Sequence, residues 1–359
     1  MRIITIIGAR PQFIKAAVVS RAIRQMALQG AEVEESILHT GQHYDYTMSE
    51  LFFKQLALPD PRWHLNCGND IQQMKMSIRP ILEAEQPDLV LVYGDTNSTL
   101  AGAETAAEAG IPVAHVEAGL RSFNTTMPEE HNRIETDRIA TWRFCPTSTA
   151  VAHLRNEGLT EGVFHVGDVM YDAACIFTPN EEEQQAIIRQ YHLTAKGFAI
   201  ATIHRASTAE NIEALSNIFR ALSHADMPVL LPLHPHTTKT VENDSSLQTL
   251  LHQATNIRVI QPIGYLDMLA LEHQAALILT DSGGMQKEAY FQGTPCITLR
   301  EETEWTETVK AGWNHLAGTS YQGIIDAMHR SFTRQSIKEY GDGHSAEQIL
   351  SILYEDARR

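Results

Sequence analysis

The chain has 359 residues, 43% of them hydrophobic and 20% charged, the profile of a folded protein long enough for two domains rather than one small module. Its 44 Asp and Glu against 28 Lys and Arg give a formal charge of −16, and with no basic run this argues against nucleic acid and anionic lipid as partners. Four scattered cysteines, Cys67, Cys145, Cys175 and Cys296, lack the spacing of a zinc ribbon and the density of a disulfide framework, so a reducing cytoplasm is expected.

The first apolar run, residues 3–7, is too short for a signal peptide and ends in Arg and Pro rather than a cleavage site, so it predicts a β-strand. Nowhere do about 18 uninterrupted apolar residues occur, and no membrane span is expected. Further strands are predicted at 89–93 and 113–116, with helical stretches at 13–29, 98–109 and 129–141 following the three strands. A second series of strands follows at 198–202, 229–231, 257–260, 276–280 and 296–299, again separated by helical segments. Such alternation predicts an α/β protein of two Rossmann-like doubly wound domains whose strand ends face a common cleft. The breaker Phe177-Thr178-Pro179-Asn180 before Glu181-Glu182-Glu183 sets the domains at 1–180 and 181–344. Residues 345–359 then form a C-terminal helix whose apolar positions Ala346, Ile349, Leu350, Ile352 and Leu353 need a docking surface, expected on the first domain.

Ligands of doubly wound folds bind beyond the carboxyl ends of the strands, so motifs there carry most weight. After the first strand, Gly8-Ala9-Arg10-Pro11 opens a helix flanked by Arg10 and Lys15, a pattern for an anion site of helix amides and cations or for an ordinary strand-to-helix turn. The dinucleotide fingerprint G-x-G-x-x-G is missing there, which argues against a dehydrogenase. Asp281-Ser282-Gly283-Gly284 also joins a strand to a helix; its amides suit a diphosphate, and Glu288 one turn on suits ribose hydroxyls. Three carboxylates stand at strand ends or helix starts: Asp95, Glu117 and Glu129. Singly, each has a plain structural account: Asp95 as a helix N-cap, Glu117 as a satisfied strand-end group, Glu129 favoured by the helix dipole and paired with Arg133 at i+4. Together they suggest acid–base work in a partly dry cleft, where burial raises a carboxyl toward neutrality.

His115-Val116-Glu117 matches the H-x-E of zinc deaminases without their P-C-x-x-C, and His234-Pro235-His236 has no Cys/His cluster around it, so no metal is expected. The second pair reads as strand-end polar residues or substrate contacts. His204-Arg205, just beyond a predicted strand, is better placed to titrate or to serve a leaving group.

In order along nearly the whole chain, Gly8-Ala9-Arg10-Pro11, Gly94-Asp95-Thr96, His115-Val116-Glu117-Ala118-Gly119-Leu120-Arg121, Pro128-Glu129-Glu130, His204-Arg205, Asp281-Ser282-Gly283-Gly284 and the stretch 300–304 resemble the non-hydrolysing UDP-N-acetylglucosamine 2-epimerases. The resemblance implies the two-domain glycosyltransferase-B architecture, a homodimer, a UDP-sugar as ligand, and no metal or redox cofactor. By position it implies that Arg10, Ser282, Gly283, Gly284 and Glu288 hold UDP, with His234 a further contact. It also implies that Lys15, Asp95, Glu117, Glu129, Arg133, His204 and Arg300 surround the sugar. The implied reaction interconverts UDP-N-acetylglucosamine and UDP-N-acetylmannosamine by elimination of UDP to 2-acetamidoglucal and re-addition to the opposite face.

Three stretches depart from the family pattern. Ser207 replaces the acid of H-R-x-E, with Glu210 the nearest carboxylate, and Gln42-His43-Tyr44-Asp45 replaces Q-H-R, so activation by a second substrate molecule is not implied. Trp305 stands where R-D-T-T-E-R-P-E has Arg, which resembles the branch acting on UDP-2,3-diacetamido-2,3-dideoxyglucuronate. A glycosyltransferase of the same architecture using a UDP-sugar, and a non-catalytic nucleotide-sugar sensor, are the rival expectations.

Overall fold

Residues 2–7 form the centre of a seven-stranded sheet because five consecutive apolar or β-branched side chains are buried on both of its faces. The computed structural model describes residues 1–42 and 52–357; the His43-Tyr44-Asp45 departure lies outside them. The sheet comprises β1 (Arg2–Ile7), β2 (Glu34–His39), β3 (Trp63–His64), β4 (Leu89–Tyr93), β5 (Val113–Val116), β6 (Trp142–Cys145) and β7 (Val163–His165) in the order β3-β2-β1-β4-β5-β6-β7. Every pairing is parallel, and parallel strands covered on both faces read as unbroken apolar runs. A second all-parallel sheet contains β8 (Ala199–Thr202), β9 (Val229–Pro232), β10 (Ile257–Ile260), β11 (Leu277–Thr280), β12 (Cys296–Thr298) and β13 (Asn314–Leu316), ordered β10-β9-β8-β11-β12-β13.

Strand order reverses between β1 and β4 in the first sheet and between β8 and β11 in the second. In doubly wound sheets the carboxyl ends at such a reversal form the natural ligand crevice, since neighbouring connections leave to opposite faces there. Each sheet has its own core, with Ile6, Leu38, Ile78 and Val92 in the first and Leu215, Phe219, Leu231 and Leu279 in the second.

The chain divides into one unit of residues 1–176 with 338–359 and another of residues 177–337, against the expected edges at 180 and 344. The return to the first unit begins before the last helix because residues 338–344 already bond to it. Glu339 accepts the Ser148 N–H at 2.7 Å, and the Tyr340 carbonyl accepts that of Asp168 at 3.0 Å. The helix Ser345–Asp356 packs on the helix Arg10–Leu28 and buries Ala346, Ile349, Leu350 and Leu353.

The N-cap of the helix Asn97–Glu108 is Thr96, whose hydroxyl accepts the Thr99 N–H, so Asp95 is not the cap that one sequence account made it. No helix among the described residues is long and apolar enough to cross a membrane. The four cysteines are free thiols, Cys175 exposed and the others buried.

Candidate active site

At the reversal in the first sheet, Lys15 reaches from the helix Arg10–Leu28 to Glu117, just past β5. The ammonium lies 2.6 Å from Glu117 Oε1, with both side chains about one-tenth exposed. Desolvated to this degree, the pair is held by a strong charge-assisted bond. Glu117 has a left-handed backbone at φ 73°, a conformation that costs a non-glycine residue energy and concentrates at working sites. Two backbone bonds stabilise it: its own amide and that of Ala118 both donate to the Phe144 carbonyl. Gly94, at φ 64°, makes the room, since a Cβ there would come within 3.2 Å of the Lys15 ammonium and 3.5 Å of Glu117 Oε1.

Asp95 follows Gly94 and is bonded through Oδ2 to the Arg133 guanidinium. Arg133 also donates to Glu130 at 3.0 Å, and its partner is thus not Glu129, as the i+4 rule suggested. Burial disfavours the Arg133 charge, but Asp95, Glu130 and Glu117 outweigh it and raise its pKa. Glu130 is buried and accepts the Ser122 N–H and hydroxyl and the Phe123 N–H; burial opposes its charge, yet these bonds and Arg133 hold its carboxyl below the usual range. It braces the loop that precedes its own helix, Pro128–Ile139. Glu129 stands exposed in the first turn of that helix, its carboxylate making no hydrogen bond or ion pair among the described residues.

Beneath these groups lies a buried network that sequence reasoning missed. His115 Nδ1 meets Asp137 at 2.8 Å and its Nε2 meets the Gly94 carbonyl at 2.7 Å, while Asp137 also accepts from the Gly119 amide and Arg121. His115 therefore anchors the Gly94-Asp95 turn. The expected anion site after β1 is reduced, because Gly8 and Ala9 donate to the Gln12 side chain at 2.8 and 3.0 Å and Lys15 is engaged with Glu117. Arg10 lies with its guanidinium 4.5 Å from the Phe52 ring centroid.

At the reversal in the second sheet, Ser282 caps the helix Gly283–Phe291, its hydroxyl accepting the Met285 N–H. The Gly283 and Gly284 amides, at the first two helical positions, make no hydrogen bond among the described residues. Two oriented donors at a positive helix end are what an anion requires. A Cβ on Gly283 would come within 2.4 Å of Glu304 Oε1. Glu304 is itself held by Arg300 at 3.0 Å and Arg205 at 3.6 Å, so Arg300 faces this turn as half of an ion pair. Glu288 is half-buried one turn along the helix. Next to it the fully buried Glu272 has a pKa raised well above the ordinary value, first by burial and then by the Glu288 charge.

His204 bonds through Nδ1 to the buried Asp281 at 3.0 Å. His234 caps the helix Pro235–Glu242, with its ring stacked on His236 and edge-on to His204. Under the glycine turn, the Lys287 ammonium sits 3.9 Å from the centroid of the buried Trp305 ring. Sequence reasoning passed over Asp281 and Lys287, although both lie inside or beside the motif it singled out.

Fold and sites together define a two-unit α/β enzyme with acid–base groups at one sheet reversal and free helix amides at the other. The chain belongs to the UDP-N-acetylglucosamine 2-epimerase family, whose profile matches residues 26–354. A Methanococcus maripaludis protein called a UDP-N-acetylglucosamine 2-epimerase homolog is 44% identical over 98% of this chain and 99% of its own. The Pseudomonas aeruginosa UDP-2,3-diacetamido-2,3-dideoxy-D-glucuronate 2-epimerase is 43% identical with the same coverage. The crystal structure of Methanocaldococcus jannaschii UDP-GlcNAc 2-epimerase in complex with UDP-GlcNAc and UDP superposes with a TM-score of 0.88 at 38% identity, over 99% of this chain and 100% of that one.

Proposed function

We propose that the protein interconverts UDP-N-acetylglucosamine and UDP-N-acetylmannosamine by anti elimination of UDP and re-addition to the 2-acetamidoglucal. The C2 hydrogen has no adjacent carbonyl, so deprotonation without departure of the C1 oxygen leaves an unstabilised carbanion. Concerted loss of the proton and of UDP avoids it. The observation that carries the reading is the Lys15–Glu117 and Asp95–Arg133 pairs at one sheet reversal, where two carboxylates are held by cations that can also meet a developing charge. Among Asp95, Glu117 and Glu129 one removes the C2 proton and another delivers it to the opposite face. Arg10, Ser282 and the Gly283 and Gly284 amides hold the diphosphate, Glu288 the ribose, and His204, His234 and Arg300 the sugar end of the leaving group.

Turnover in D2O should place deuterium at C2 of the product. Asp95→Asn, Glu117→Gln and Glu129→Gln should each lower kcat by roughly a hundredfold or more with UDP still bound. Retention of the original C2 hydrogen overturns elimination in favour of an oxidation–reduction route, and free N-acetylmannosamine with UDP as main products overturns it in favour of hydrolysis.

The Trp305 departure favours a second reading, in which the substrate is UDP-2,3-diacetamido-2,3-dideoxyglucuronate, as the name of the Pseudomonas relative states for that protein. Comparing kcat/KM on the two substrates decides between them. The resemblance further supports a homodimer, which sedimentation of the purified protein tests, and the scattered free cysteines support a cytoplasmic location, which cell fractionation tests.

A further inference from the structure

Asp281 has no exposed surface, yet its carboxylate collects three donors from the loop that leaves the neighbouring strand β8. The His204 N–H lies 3.1 and 3.2 Å from its two oxygens, the Arg205 N–H 3.1 Å from Oδ2, and His204 Nδ1 3.0 Å from Oδ1. A carboxylate accepting two amides is an acceptor toward the ring as well, so Nδ1 carries the hydrogen. Which ring nitrogen is protonated follows from the bond the other one makes. His204 keeps 43% of its side-chain surface exposed, and its Nε2 makes no hydrogen bond among the described residues.

We infer that Asp281 is a positioning residue that fixes the His204 ring and the hydrogen on Nδ1, leaving Nε2 as the nitrogen offered to substrate. This rests on the reading in which His204 serves the departing diphosphate. As the C1–O bond breaks, its electron pair passes to the phosphate oxygen, and a proton on Nε2 of the imidazolium hydrogen-bonds to that oxygen; on re-addition the oxygen returns its pair to C1. Asn at position 281 keeps an oxygen for the backbone amides but turns its NH2 toward Nδ1. The neutral ring then carries its hydrogen on Nε2. The substitution also removes the negative charge that faces Nδ1–H, so the doubly protonated ring that donates from Nε2 loses its counter-ion.

The test uses the full chain with 15N-labelled histidine and two-bond 1H–15N correlation spectra at alkaline pH, with His204 assigned by its loss in His204→Gln. Wild-type His204 should show hydrogen on Nδ1. Asp281→Asn should move it to Nε2 and lower kcat by roughly a hundredfold or more, with the calorimetric affinity for UDP changed less than about threefold. A wild-type ring with its hydrogen on Nε2, or Asp281→Asn turning over at the wild-type rate, overturns the inference. Should Asp281→Asn not fold, the wild-type tautomer still decides. Wild-type turnover by His204→Gln instead rejects the underlying role of His204, a failure that is visible whatever tautomer the spectra report.

Discussion

Glu35 in β2 accepts the Thr5 hydroxyl on one oxygen at 2.5 Å, while its other oxygen is buried with no hydrogen-bond partner among the described residues. Burial raises its pKa more than the neighbouring hydroxyls and Arg24 lower it. The folded state therefore holds the Glu35 proton more tightly than the unfolded chain does. Its contribution is complete below the unfolded carboxyl value near 4.5 and is lost as pH rises through the folded value. Glu35→Gln should flatten that loss and gain on the order of 1 kcal/mol at pH 8, the scale of an ill-satisfied buried group; urea melts at pH 5 and pH 8 check it, and a variant less stable at both rejects it. Asp137 has the opposite sign: burial opposes its charge, but His115 and Arg121 hold its carboxyl below the usual range. Removing that charge leaves Arg121 short of a buried partner, and Asp137→Asn should destabilise by roughly 3–5 kcal/mol in the same melts.

Helix starts govern the proposed diphosphate site. A valine at Gly283 must displace Glu304 from Arg300 and Arg205 or shift the first helical turn, so Gly283→Val should weaken UDP binding by calorimetry about tenfold or more. Unchanged affinity would reject this turn as the diphosphate site. At the other end of the chain, Leu353→Ala should cost roughly 2–5 kcal/mol, because Leu353 is fully buried in the docked helix. The alternation of strands and helices was legible because the central strands β1, β4, β5, β8 and β11 are apolar on both faces. The strands missed were β2, β3, β6, β7 and β13. β2 opens on Glu34-Glu35-Ser36, β6 carries Arg143, and the others span two or three residues, so neighbours rather than their own patterns define them. Site residues were legible by type and by position after a strand, but not by partner. Arg133 bypasses Glu129 for Asp95, 38 positions away, and Asp281 collects donors from 77 and 76 positions away. Spacing along a helix carries no information about such pairs.

On the scale of the whole molecule, the two units differ in how the chain builds them. The second is one continuous stretch, whereas the first is closed by residues 338–359. A fragment of residues 177–337 should therefore unfold cooperatively and bind UDP, while residues 1–176 alone should expose the apolar side of the helix Arg10–Leu28 and aggregate. Joining 338–359 directly to residue 176 should restore a cooperative melt, and failure of that fusion with success of 1–176 alone would reject the assignment. The same topology sets a timetable during synthesis. Domains usually fold in the order in which they emerge, but here the helix Ser345–Asp356 leaves the ribosome only after the entire second unit. The half of the protein made first is thus the half that must wait, and a nascent chain that has emerged as far as residue 337 would carry a finished second unit beside an unfinished first one.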